Sequence, residues 1–443
     1  MMMTLSIPFS SLAERVVASL AAGSCVSITG LSNMGKSTFM RALTSEEIHQ
    51  AYQEARQKTG FLIYVDCNRA VDISPQAFFE VVLRSVVERL NDHIPPDLAA
   101  AMRNHHQEIT ASDSAFSASL AFNLALTELC EQLGHDLCLL IDEFDEVYAQ
   151  LEERTLLNLR ALRDRFSDCL AYVTATERRL PLLRQQEVEN EFAELFSRTT
   201  FPMPLLTKDE IDALLKTFDM PEITQEQRKV FHRFSGGHPG LLLAVSQVLT
   251  VGAEGGGGTK LAESIRRAPG PRTECLKIWN QLTSDEQAGL STLVLEANAK
   301  LPAQQMQRLE KLGLVCGGKP FSPIFAEFVV RRRRGQEVGD RGVHLDADSG
   351  DVWVDGVRIP VLTDLEFRLL QQLYERRDKI TDKYRIVTSV WGEEYLGEVD
   401  DARVEKLVSR LRSKIEPDPT NPIYLITQRG RGYKLLSKPR EAS

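Results

Sequence analysis

The sequence has few of the features that mark secreted, metal-binding or membrane-spanning proteins. Its 443 residues include 7 cysteines, an odd number with no C-x-x-C spacing and no Cys/His ligand cluster. This pattern argues against a disulfide framework and against a zinc site. No apolar run is long enough to cross a bilayer, and the N-terminal stretch lacks the basic start of a signal peptide. We therefore expect a cytoplasmic protein that has no membrane partner.

The chain also lacks an excess of positive charge. It carries 53 Lys and Arg against 62 Asp and Glu, a net charge of −9. No overall positive field attracts nucleic acid, so any contact with DNA must come from local basic patches. The length predicts two to four domains, and the hydrophobic content of 43% is typical of globular proteins.

A glycine-bounded loop is the most informative stretch. Residues 30–38 read GLSNMGKST, between an apolar run of strand length (25–29) and a helical segment (39–43). The pattern G-x-x-x-x-G-K-[ST] between a strand and a helix binds nucleoside triphosphates, because its backbone N–H groups converge on the phosphates. The predicted nucleotide contacts are Gly30, Asn33, Met34, Gly35, Lys36, Ser37 and Thr38, and Ser37 is also a predicted Mg²⁺ ligand.

Short apolar runs alternate with helical patterns through the first half of the chain. Strands are predicted at residues 25–29, 60–66, 136–141, 169–174 and 199–203. This alternation is typical of an α/β fold with a doubly wound parallel sheet. Residues 91–114 are predicted to form a loop-rich insertion. The pair His105-His106 in it has no third ligand nearby, which favours a solvated loop over the alternative, a metal site.

Two acidic residues follow the third strand. A strand beside the phosphate loop typically delivers its last acid to Mg²⁺, and the next acid orients the attacking water. We therefore assign Asp142 to magnesium and Glu143 to catalysis. The alternative is a strand that ends in acidic residues without a role.

Two further motifs carry a family resemblance that covers about residues 1–335. Residues 142–145, D-E-F-D, resemble the D-E-x-D signature of AAA-related initiator ATPases. Residues 235–240, S-G-G-H-P-G, resemble the lid motif of the STAND class of signal-transduction ATPases. Two departures concern the switch: the region 272–335 contains no histidine, which several STAND proteins use to read the β-phosphate, and the usual repeat sensor is absent.

This resemblance implies further roles. Pro239 would lie against the adenine, and Thr176, with Thr174 and Arg178 as alternatives, would sense the γ-phosphate. Arg198 would be an arginine finger offered to a neighbouring subunit. The implied cofactors are ATP or ADP with Mg²⁺, and the implied assembly is a homo-oligomer formed on nucleotide binding.

After Thr207 the pattern becomes helical. Capping-box spacings are present at Thr207/Glu210 and at Ser284/Gln287, and linkers are predicted at 252–258 and 335–342. The expected domains are a P-loop ATPase core (1–205), a helical lid (206–271), a winged-helix module (272–335) and a second, α+β winged-helix domain (343–438).

The C-terminal segment has the pattern of a DNA reader. Residues 343–362 predict a small antiparallel sheet, three helices follow, and residues 424–435 predict a β-hairpin. The third helix, 401–415, is apolar on one face and cationic on another, as a major-groove helix requires. Taken alone, the cationic face has an alternative reading as an ordinary solvated surface.

The residues of this segment resemble the OmpR/PhoB-type winged-helix domain over nearly its full length. The matching positions are Thr363, Glu366, Leu369-Leu370, Trp391-Gly392, Leu411-Arg412, Thr427, Arg429-Gly430 and Gly432-Tyr433. The DNA-binding residues predicted from this resemblance and from the cationic face are Arg403, Lys406, Ser409, Arg410, Arg412, Thr427, Arg429 and Arg431. The family's usual early arginine falls on Ala402, and its receiver domain is replaced by the ATPase.

These patterns predict a transcription regulator that binds double-stranded DNA sequence-specifically. A slow, STAND-like ATPase switch would control the reader in response to an unidentified signal protein or ligand. The alternative is an ATP-driven DNA-loading or defence motor, which DNA-stimulated turnover would identify. A phosphorelay regulator is disfavoured because the phosphate loop stands in the receiver's place.

Overall fold

The computed structural model describes most of the chain. The described residues are 7–184, 191–218, 223–252, 258–296, 299–337, 342–345, 352–355, 357–359, 362–392, 401–428, 430–437 and 439–440. The chain divides into two compact units, Met1–Val330 and Arg331–Ser443. None of the helices within these ranges is both long enough and apolar enough to traverse a bilayer.

A five-stranded sheet forms the centre of the first unit. Its strands are β1 (Val26–Thr29), β2 (Gly60–Asp66), β3 (Asp136–Asp142), β4 (Leu170–Thr176) and β5 (Thr200–Pro202). They are parallel and stand in the order β2-β3-β4-β1-β5. Every residue of β3 and β4 is buried, which explains their continuous apolar runs. The predicted doubly wound parallel sheet is confirmed.

Helices cover both faces of this sheet. Alternate residues of β3 enter two separate cores: Cys138 and Leu140 one, Leu139 and Ile141 the other. The helices before the lid are α1 (Ser10–Ala21), α2 (Lys36–Ala42), α3 (Glu46–Arg56), α4 (Pro75–Leu90), α5 (Pro96–Thr110), α6 (Ala115–Gln132), α7 (Phe144–Gln150), α8 (Glu153–Arg165) and α9 (Glu191–Glu194).

The predicted loop-rich insertion at 91–114 is wrong, because most of it is helix α5. Its buried residues Leu98, Met102 and Ile109 recur at helical spacing, but polar residues between them obscure the pattern in the sequence. The His105 ring lies 3.2 Å from Glu128, and the His106 ring lies 2.9 Å from Glu80. Across the residues that the structure describes, no group of three or more His, Cys, Asp or Glu is arranged to hold a metal ion.

The remainder of the first unit is helical, with one short hairpin. The helices are α10 (Lys208–Leu215), α11 (Gln225–Ser235), α12 (Pro239–Gly252), α13 (Gly258–Arg267), α14 (Pro269–Asn280), α15 (Ser284–Leu295), α16 (Ala303–Lys311) and α17 (Pro323–Glu337), whose last turns belong to the second unit. Strands β6 (Val315–Cys316) and β7 (Lys319–Pro320) pair antiparallel around Gly317 and Gly318, whose φ angles are +57° and +75°.

Four boundary predictions in this region have different outcomes. The Thr207/Glu210 capping box is confirmed, whereas the predicted box at Ser284/Gln287 is wrong by one residue: Thr283 and Glu286 form it. The linker predicted at 335–342 is wrong for 335–337, because α17 continues to Glu337; residues 338–341 lie outside the described residues. Residues 253–257 of the other predicted linker also lie outside them.

The second unit has the predicted order of a small sheet, three helices and a hairpin. Its elements are β8 (Val343–Leu345), β9 (Val352–Val354), β10 (Val357–Arg358), α18 (Asp364–Glu375), α19 (Lys383–Val390), α20 (Asp401–Ile415), β11 (Leu425–Gln428) and β12 (Gly432–Leu435). Both sheets are antiparallel. Thr363 and Glu366 form a capping box at the start of α18, and the three helices and the hairpin share one core.

Candidate functional site

The loop between β1 and α2 is wrapped around its own lysine. Lys36 is only 8% exposed, and its Nζ donates to the carbonyl oxygens of Gly30 (2.7 Å) and Leu31 (3.3 Å). Asn33 and Gly35 have φ angles of +62° and +86°, a left-handed conformation that glycine adopts without a steric penalty. The loop is therefore preformed around a buried ammonium group.

A cavity of about 770 Å³ opens beside this loop. The sequence-predicted residues that line it are Asn33, Gly35, Lys36, Ser37, Thr38, Glu143 and Pro239. Gly30 and Met34 support the loop from behind: the Gly30 N–H donates to the Thr176 carbonyl oxygen (3.0 Å), and the Met34 side chain is 1% exposed in the core. Neither is among the residues that line the cavity, and their contact with a nucleotide stays a prediction.

Helices α12 and α14, with Leu214 of α10 and Phe218 after it, form another wall of the cavity. Its apolar part consists of Leu214, Phe218, Leu243 and Ala244, and its polar part includes Gln247, Thr273, Glu274 and Lys277. An apolar wall with a few polar groups, facing a loop that offers N–H donors, suits a ligand with a flat ring at one end and phosphates at the other.

The start of α12 is joined to the loop. The Gly240 N–H donates to the Asn33 carbonyl oxygen (3.0 Å), and a Cβ added at Gly35 would lie 3.6 Å from the ring of Pro239. Pro239 therefore lines the cavity next to the phosphate loop, and its contact with the adenine stays a prediction.

The end of β3 brings the two predicted carboxylates to the loop. Asp142 is fully buried, and its Oδ2 accepts a hydrogen bond from the Tyr64 hydroxyl at 2.8 Å. Its Oδ1 has no hydrogen-bond partner among the described residues. Glu143 directly precedes α7 and has a φ of +53°, and its carboxylate accepts from the Ser37 hydroxyl at 3.3 Å.

The side chains of Asp142 and Ser37 have the chemistry of magnesium ligands. A buried carboxylate oxygen without a partner is rare in folded proteins and calls for a cation or an ordered water. Carboxylate and hydroxyl oxygens are the ligands that Mg²⁺ takes together with phosphate oxygens. Asp142 and Ser37 therefore fit the ion that the phosphate loop implies.

Of the three candidate sensors, Thr174 and Thr176 lie in β4 and Arg178 follows it, and two of them, Thr176 and Arg178, are engaged within the chain. The buried Thr176 hydroxyl donates to the Arg178 carbonyl oxygen (2.7 Å). The Arg178 guanidinium donates to both carboxylate oxygens of Glu286 (2.6 and 2.8 Å) and to the Gln281 carbonyl oxygen (2.7 Å). Thr174 is also buried, and its hydroxyl has no partner in the described part of the chain. Contact of Thr176 or Arg178 with a γ-phosphate stays a prediction that requires these bonds to rearrange.

Contacts between the loop and α14 were missed by the sequence analysis. The Ser32 N–H donates to the Gln281 side chain (2.7 Å), and the Asn33 amide donates to Glu274 (2.9 Å). The partners are 249 and 241 positions apart, and no local pattern indicates such distant pairs. The segment after Ala268 therefore closes directly over the phosphate loop.

Two acidic residues beside the loop were also missed. Glu177 accepts from the Ser32 hydroxyl (2.6 Å), and its own N–H donates to Asp145 (2.7 Å). Burial raises the pKa of Asp145 to about 6. The D-E-x-D spacing was the available signal for Asp145.

The lid loop before α12 contains a neutral, buried histidine. His238 is 2% exposed, its Nδ1 accepts from the Leu241 N–H (3.2 Å), and its Nε2 lacks a partner within the described residues. Burial lowers the pKa of His238 to about 4. The ring packs 5.7 Å from that of Phe321, and a Cβ added at Gly236 would overlap the Phe321 carbonyl oxygen. This loop is therefore packed tightly against the segment that follows β7.

Arg198 is exposed in the segment between α9 and β5. This position leaves its side chain accessible to another molecule, and its role as an arginine finger stays a prediction.

Helix α20 of the second unit has the predicted two faces. Val404, Leu407, Val408, Leu411 and Ile415 are buried. Four of the residues predicted to bind DNA are exposed on the other side: Arg403, Lys406, Ser409 and Arg410. The helix therefore presents a cationic surface while its apolar side completes the core.

Arg412 differs from the other predicted DNA-binding residues. Its guanidinium is half-buried and donates to the Leu425 carbonyl oxygen (3.0 and 2.6 Å) and to the Thr427 hydroxyl (2.8 Å). These bonds hold the hairpin to α20, so a base contact would compete with them. Arg431 is exposed at the hairpin turn, and Arg429 lies outside the described residues.

Lys414 also serves the fold. Its ammonium donates to the buried Glu366 carboxylate at 2.7 Å. Burial acts to raise the pKa of Glu366, but hydrogen bonds from Lys414 and Thr363 outweigh it and hold this pKa below its ordinary value.

Two family models match the chain. Residues 21–182 match the model described as "AAA domain", and residues 359–435 match "Transcriptional regulatory protein, C terminal". The first match contains the phosphate loop and Asp142, and the second contains α18 to β12.

Curated relatives are similar to the C-terminal part. Sensory transduction protein RegX3 of Mycolicibacterium smegmatis is 36% identical over 129 residues, which are 26% of this chain and 55% of that protein. The uncharacterized transcriptional regulatory protein YrkP of Bacillus subtilis is 35% identical over 141 residues, 28% of this chain and 60% of that protein. The chain spans about half the length of the curated relatives it matches.

Solved structures are similar to each part. The DNA-binding domain of Klebsiella pneumoniae RstA, solved with the RstA box, is 26% identical; the match covers 22% of this chain and 92% of that chain, with a TM-score of 0.20. The ORC2 protein of Aeropyrum pernix, in its ADP form, is 13% identical; the match covers 80% of this chain and 89% of that chain, with a TM-score of 0.42.

Proposed function

Because the chain joins a P-loop AAA domain to an OmpR/PhoB-type DNA-binding domain, we propose that it is a transcription regulator whose DNA binding is controlled by ATP. The single observation that carries this proposal is the loop around Lys36, which opens on a cavity of nucleotide size. Nucleotide at this site and DNA at the cationic face of α20 are the two ligands.

The nucleotide would lie with its phosphates on the loop and its base between Pro239 and the apolar wall. Lys36 would exchange its bonds to the loop carbonyls for bonds to the β- and γ-phosphates, because a charge-assisted hydrogen bond is the stronger one. Ser37 and Asp142 would hold Mg²⁺, which neutralises charge on the phosphates when it is bound. Glu143, beside Ser37, would orient the water.

The DNA contact would be made by the exposed residues of α20. A helix of this kind places side chains against base edges in the major groove, and phosphate contacts fix its register. We assign base reading to Ser409 and Arg410, and phosphate contact to Arg403 and Lys406. Arg431, with Arg429 outside the described residues, would contact DNA from the hairpin.

Control by ATP requires a contact that differs between ATP and ADP. A ligand shifts an equilibrium only by its differential affinity for the two states. The exposed Arg198 of one subunit, placed on the γ-phosphate of a neighbour, would provide this difference and promote a homo-oligomer. Linking several readers makes later DNA contacts intramolecular, and avidity can rise roughly 10²–10⁴-fold.

The experiment measures sedimentation and DNA anisotropy on one series of samples: without nucleotide, with ADP, and with a non-hydrolysable ATP analogue. The analogue should promote both oligomers and tight binding to tandem half-sites, and Arg198→Ala should not respond. Arg179→Ala, which removes an exposed arginine three residues after the end of β4, is the matched control. Equal mass and equal affinity in all three states would exclude the switch.

A motor acting on DNA is the competing function. It would show ATP turnover that DNA stimulates several-fold, whereas a switch hydrolyses slowly and retains its nucleotide. Identification of the nucleotide that copurifies with the protein, followed by turnover with and without DNA, separates the two.

A further inference from the structure

We propose that Tyr64 is a positioning residue of the nucleotide site, whose hydroxyl orients the Asp142 carboxylate toward the Mg²⁺ that accompanies the phosphates. The inference rests on the proposed function, because it concerns the ion bound with the nucleotide. The motifs that identified the loop and the two acids do not include Tyr64.

The sheet places Tyr64 next to Asp142. In the parallel pairing of β2 with β3, Tyr64 stands opposite Leu140, two residues before Asp142. Side chains two residues apart on a strand point to the same face, so Tyr64 and Asp142 are diagonal neighbours. The resulting hydrogen bond, from the Tyr64 hydroxyl to Asp142 Oδ2, is 2.8 Å long.

This bond makes the two oxygens of the Asp142 carboxylate different from each other. Oδ2 is occupied by the phenol, and Oδ1 is buried and unpartnered within the described residues. Without the Tyr64 hydroxyl this difference between the two oxygens would disappear, and the carboxylate would lose the hydrogen bond that selects its orientation. Hydrogen bonds to a metal-binding carboxylate typically contribute 10–100-fold to metal affinity.

Tyr64 is itself held by the helix that carries the other predicted magnesium ligand. The Arg41 guanidinium lies over the Tyr64 ring, 5.0 Å from its centroid. Arg41 and Ser37 are four residues apart in α2 and therefore lie on one side of that helix. The phenol thus connects the hydroxyl-bearing helix with the carboxylate-bearing strand.

The same strand contains a matched control. The Tyr52 hydroxyl donates to Asp136 Oδ2 at 2.7 Å, at the opposite end of β3 from Asp142. Tyr64→Phe and Tyr52→Phe each remove one tyrosine–aspartate hydrogen bond and keep the ring. Only the first acts on the proposed ion site.

The experiment titrates Mg²⁺ into full-length protein with a fluorescent ADP analogue and repeats the binding in EDTA. For Tyr64→Phe we expect the Mg²⁺ concentration at half-maximal effect to rise roughly 10–100-fold, with unchanged affinity in EDTA. Tyr52→Phe should follow the wild type in both measurements while its melting temperature falls. Arg41→Gln keeps the hydroxyl but frees the ring, so it should shift the Mg²⁺ dependence in the same direction by less.

Three outcomes would overturn the inference. They are a Mg²⁺ dependence of Tyr64→Phe within two-fold of the wild type, an equal shift in Tyr52→Phe, and an equal loss of affinity in EDTA. If Tyr64→Phe does not fold, an unshifted Arg41→Gln overturns it instead. A wild-type protein that binds no ADP with or without Mg²⁺ would overturn the proposed function as well. Failure of the Tyr64 inference alone leaves ADP binding by the wild type intact, so the two failures are distinguishable.

Discussion

Arg178 and Glu286 form a buried ion pair in which one guanidinium donates to both oxygens of one carboxylate, at 2.6 and 2.8 Å. The Glu286 side chain is 1% exposed and that of Arg178 is 19% exposed. Glu286 also caps α15, through its bond to the Thr283 N–H at 2.9 Å. The pair therefore ties the end of β4 to the start of α15.

Removal of one member of this pair should destabilise the protein strongly. Arg178→Ala leaves the Glu286 charge buried without its partner, which typically costs about 3–5 kcal/mol. Chemical denaturation would measure the loss, and Arg179→Ala, an exposed neighbour, should stay within about 0.5 kcal/mol of the wild type.

The same pair predicts a pH dependence. Burial acts to raise the pKa of Glu286, but the hydrogen bonds from Arg178 and Thr283 outweigh it and hold this pKa below 4.5. A lowered folded-state pKa contributes stability above the unfolded value, and this contribution disappears as the pH falls through the folded value. The difference between wild type and Arg178→Ala should therefore be full at pH 7 and shrink below about pH 4.5.

Substitutions at the loop should separate nucleotide binding from hydrolysis. Lys36→Ala should abolish binding, because it removes the cation at the phosphates and the bonds that shape the loop. Glu143→Gln should retain ATP and block its hydrolysis, because only the water-orienting carboxylate is lost. Fluorescent-nucleotide binding and phosphate release would test both. Hydrolysis by Glu143→Gln at the wild-type rate would show that the acids are wrongly assigned.

Alanine substitutions of Arg410 and Arg412, two residues apart in α20, should affect different properties: the first DNA binding, the second stability. Arg410→Ala should lose roughly 1–3 kcal/mol of specific binding without a change in melting temperature, because the exposed side chain would contact a base. Arg412→Ala should destabilise the second unit by about 1–3 kcal/mol, because it leaves the Leu425 carbonyl oxygen without these donors.

Anisotropy and thermal melting of a fragment covering residues 343–439 would measure both effects. Lys406→Ala is the control for a phosphate contact and should reduce the salt slope by about one. A folded fragment that binds no DNA at low salt would exclude the DNA-reader function.

The buried histidine of the lid loop, His238, predicts a second pH dependence of the stability. Here the cause is a base that burial keeps uncharged, not a carboxylate that a partner keeps charged. Since burial lowers the pKa of His238 to about 4, the unfolded chain binds its proton first as the pH falls below 6.5. Stability should decrease by about 2 kcal/mol between pH 7 and pH 5. In His238→Asn this part of the slope should vanish, and a slope equal to that of the wild type would contradict the assignment to His238.

A pair of glycines with the same backbone angle tests the packing of the lid loop. Gly236 and Gly317 both have a φ of +57°. A Cβ at Gly236 would overlap the Phe321 carbonyl oxygen, whereas one at Gly317 would meet nothing within 4 Å. Gly317→Ala should cost about 1–2 kcal/mol from the backbone angle alone, and Gly236→Ala should cost more by several kcal/mol or abolish folding.

Local patterns predicted the architecture well. The strands of a buried parallel sheet are continuous apolar runs, so β2 was predicted to the residue and the other four to within two residues at either end. Helix α5 was missed because polar residues and Pro95-Pro96 dominate a segment whose few buried residues carry the helical period.

The site was predictable only where a motif is contiguous. The loop, Asp142 and Glu143 lie in short motifs, but Tyr64, Glu274 and Gln281 reach the site through folding alone. Arg412 shows the same limit: its charge and helical position matched a DNA contact, but the carbonyl that binds it comes from a strand 13 residues later.

The hairpin of β6 and β7 carries an exposed cysteine, Cys316, that a chemical probe can modify. All seven cysteines lie in the described residues, and Cys316 is the exposed one; the others are buried or half-buried. A maleimide dye would therefore react first beside Gly317 and Gly318, whose surroundings are open. The native chain thus offers a labelling site between α16 and α17, without an engineered cysteine, and Cys316→Ser provides the unlabelled reference.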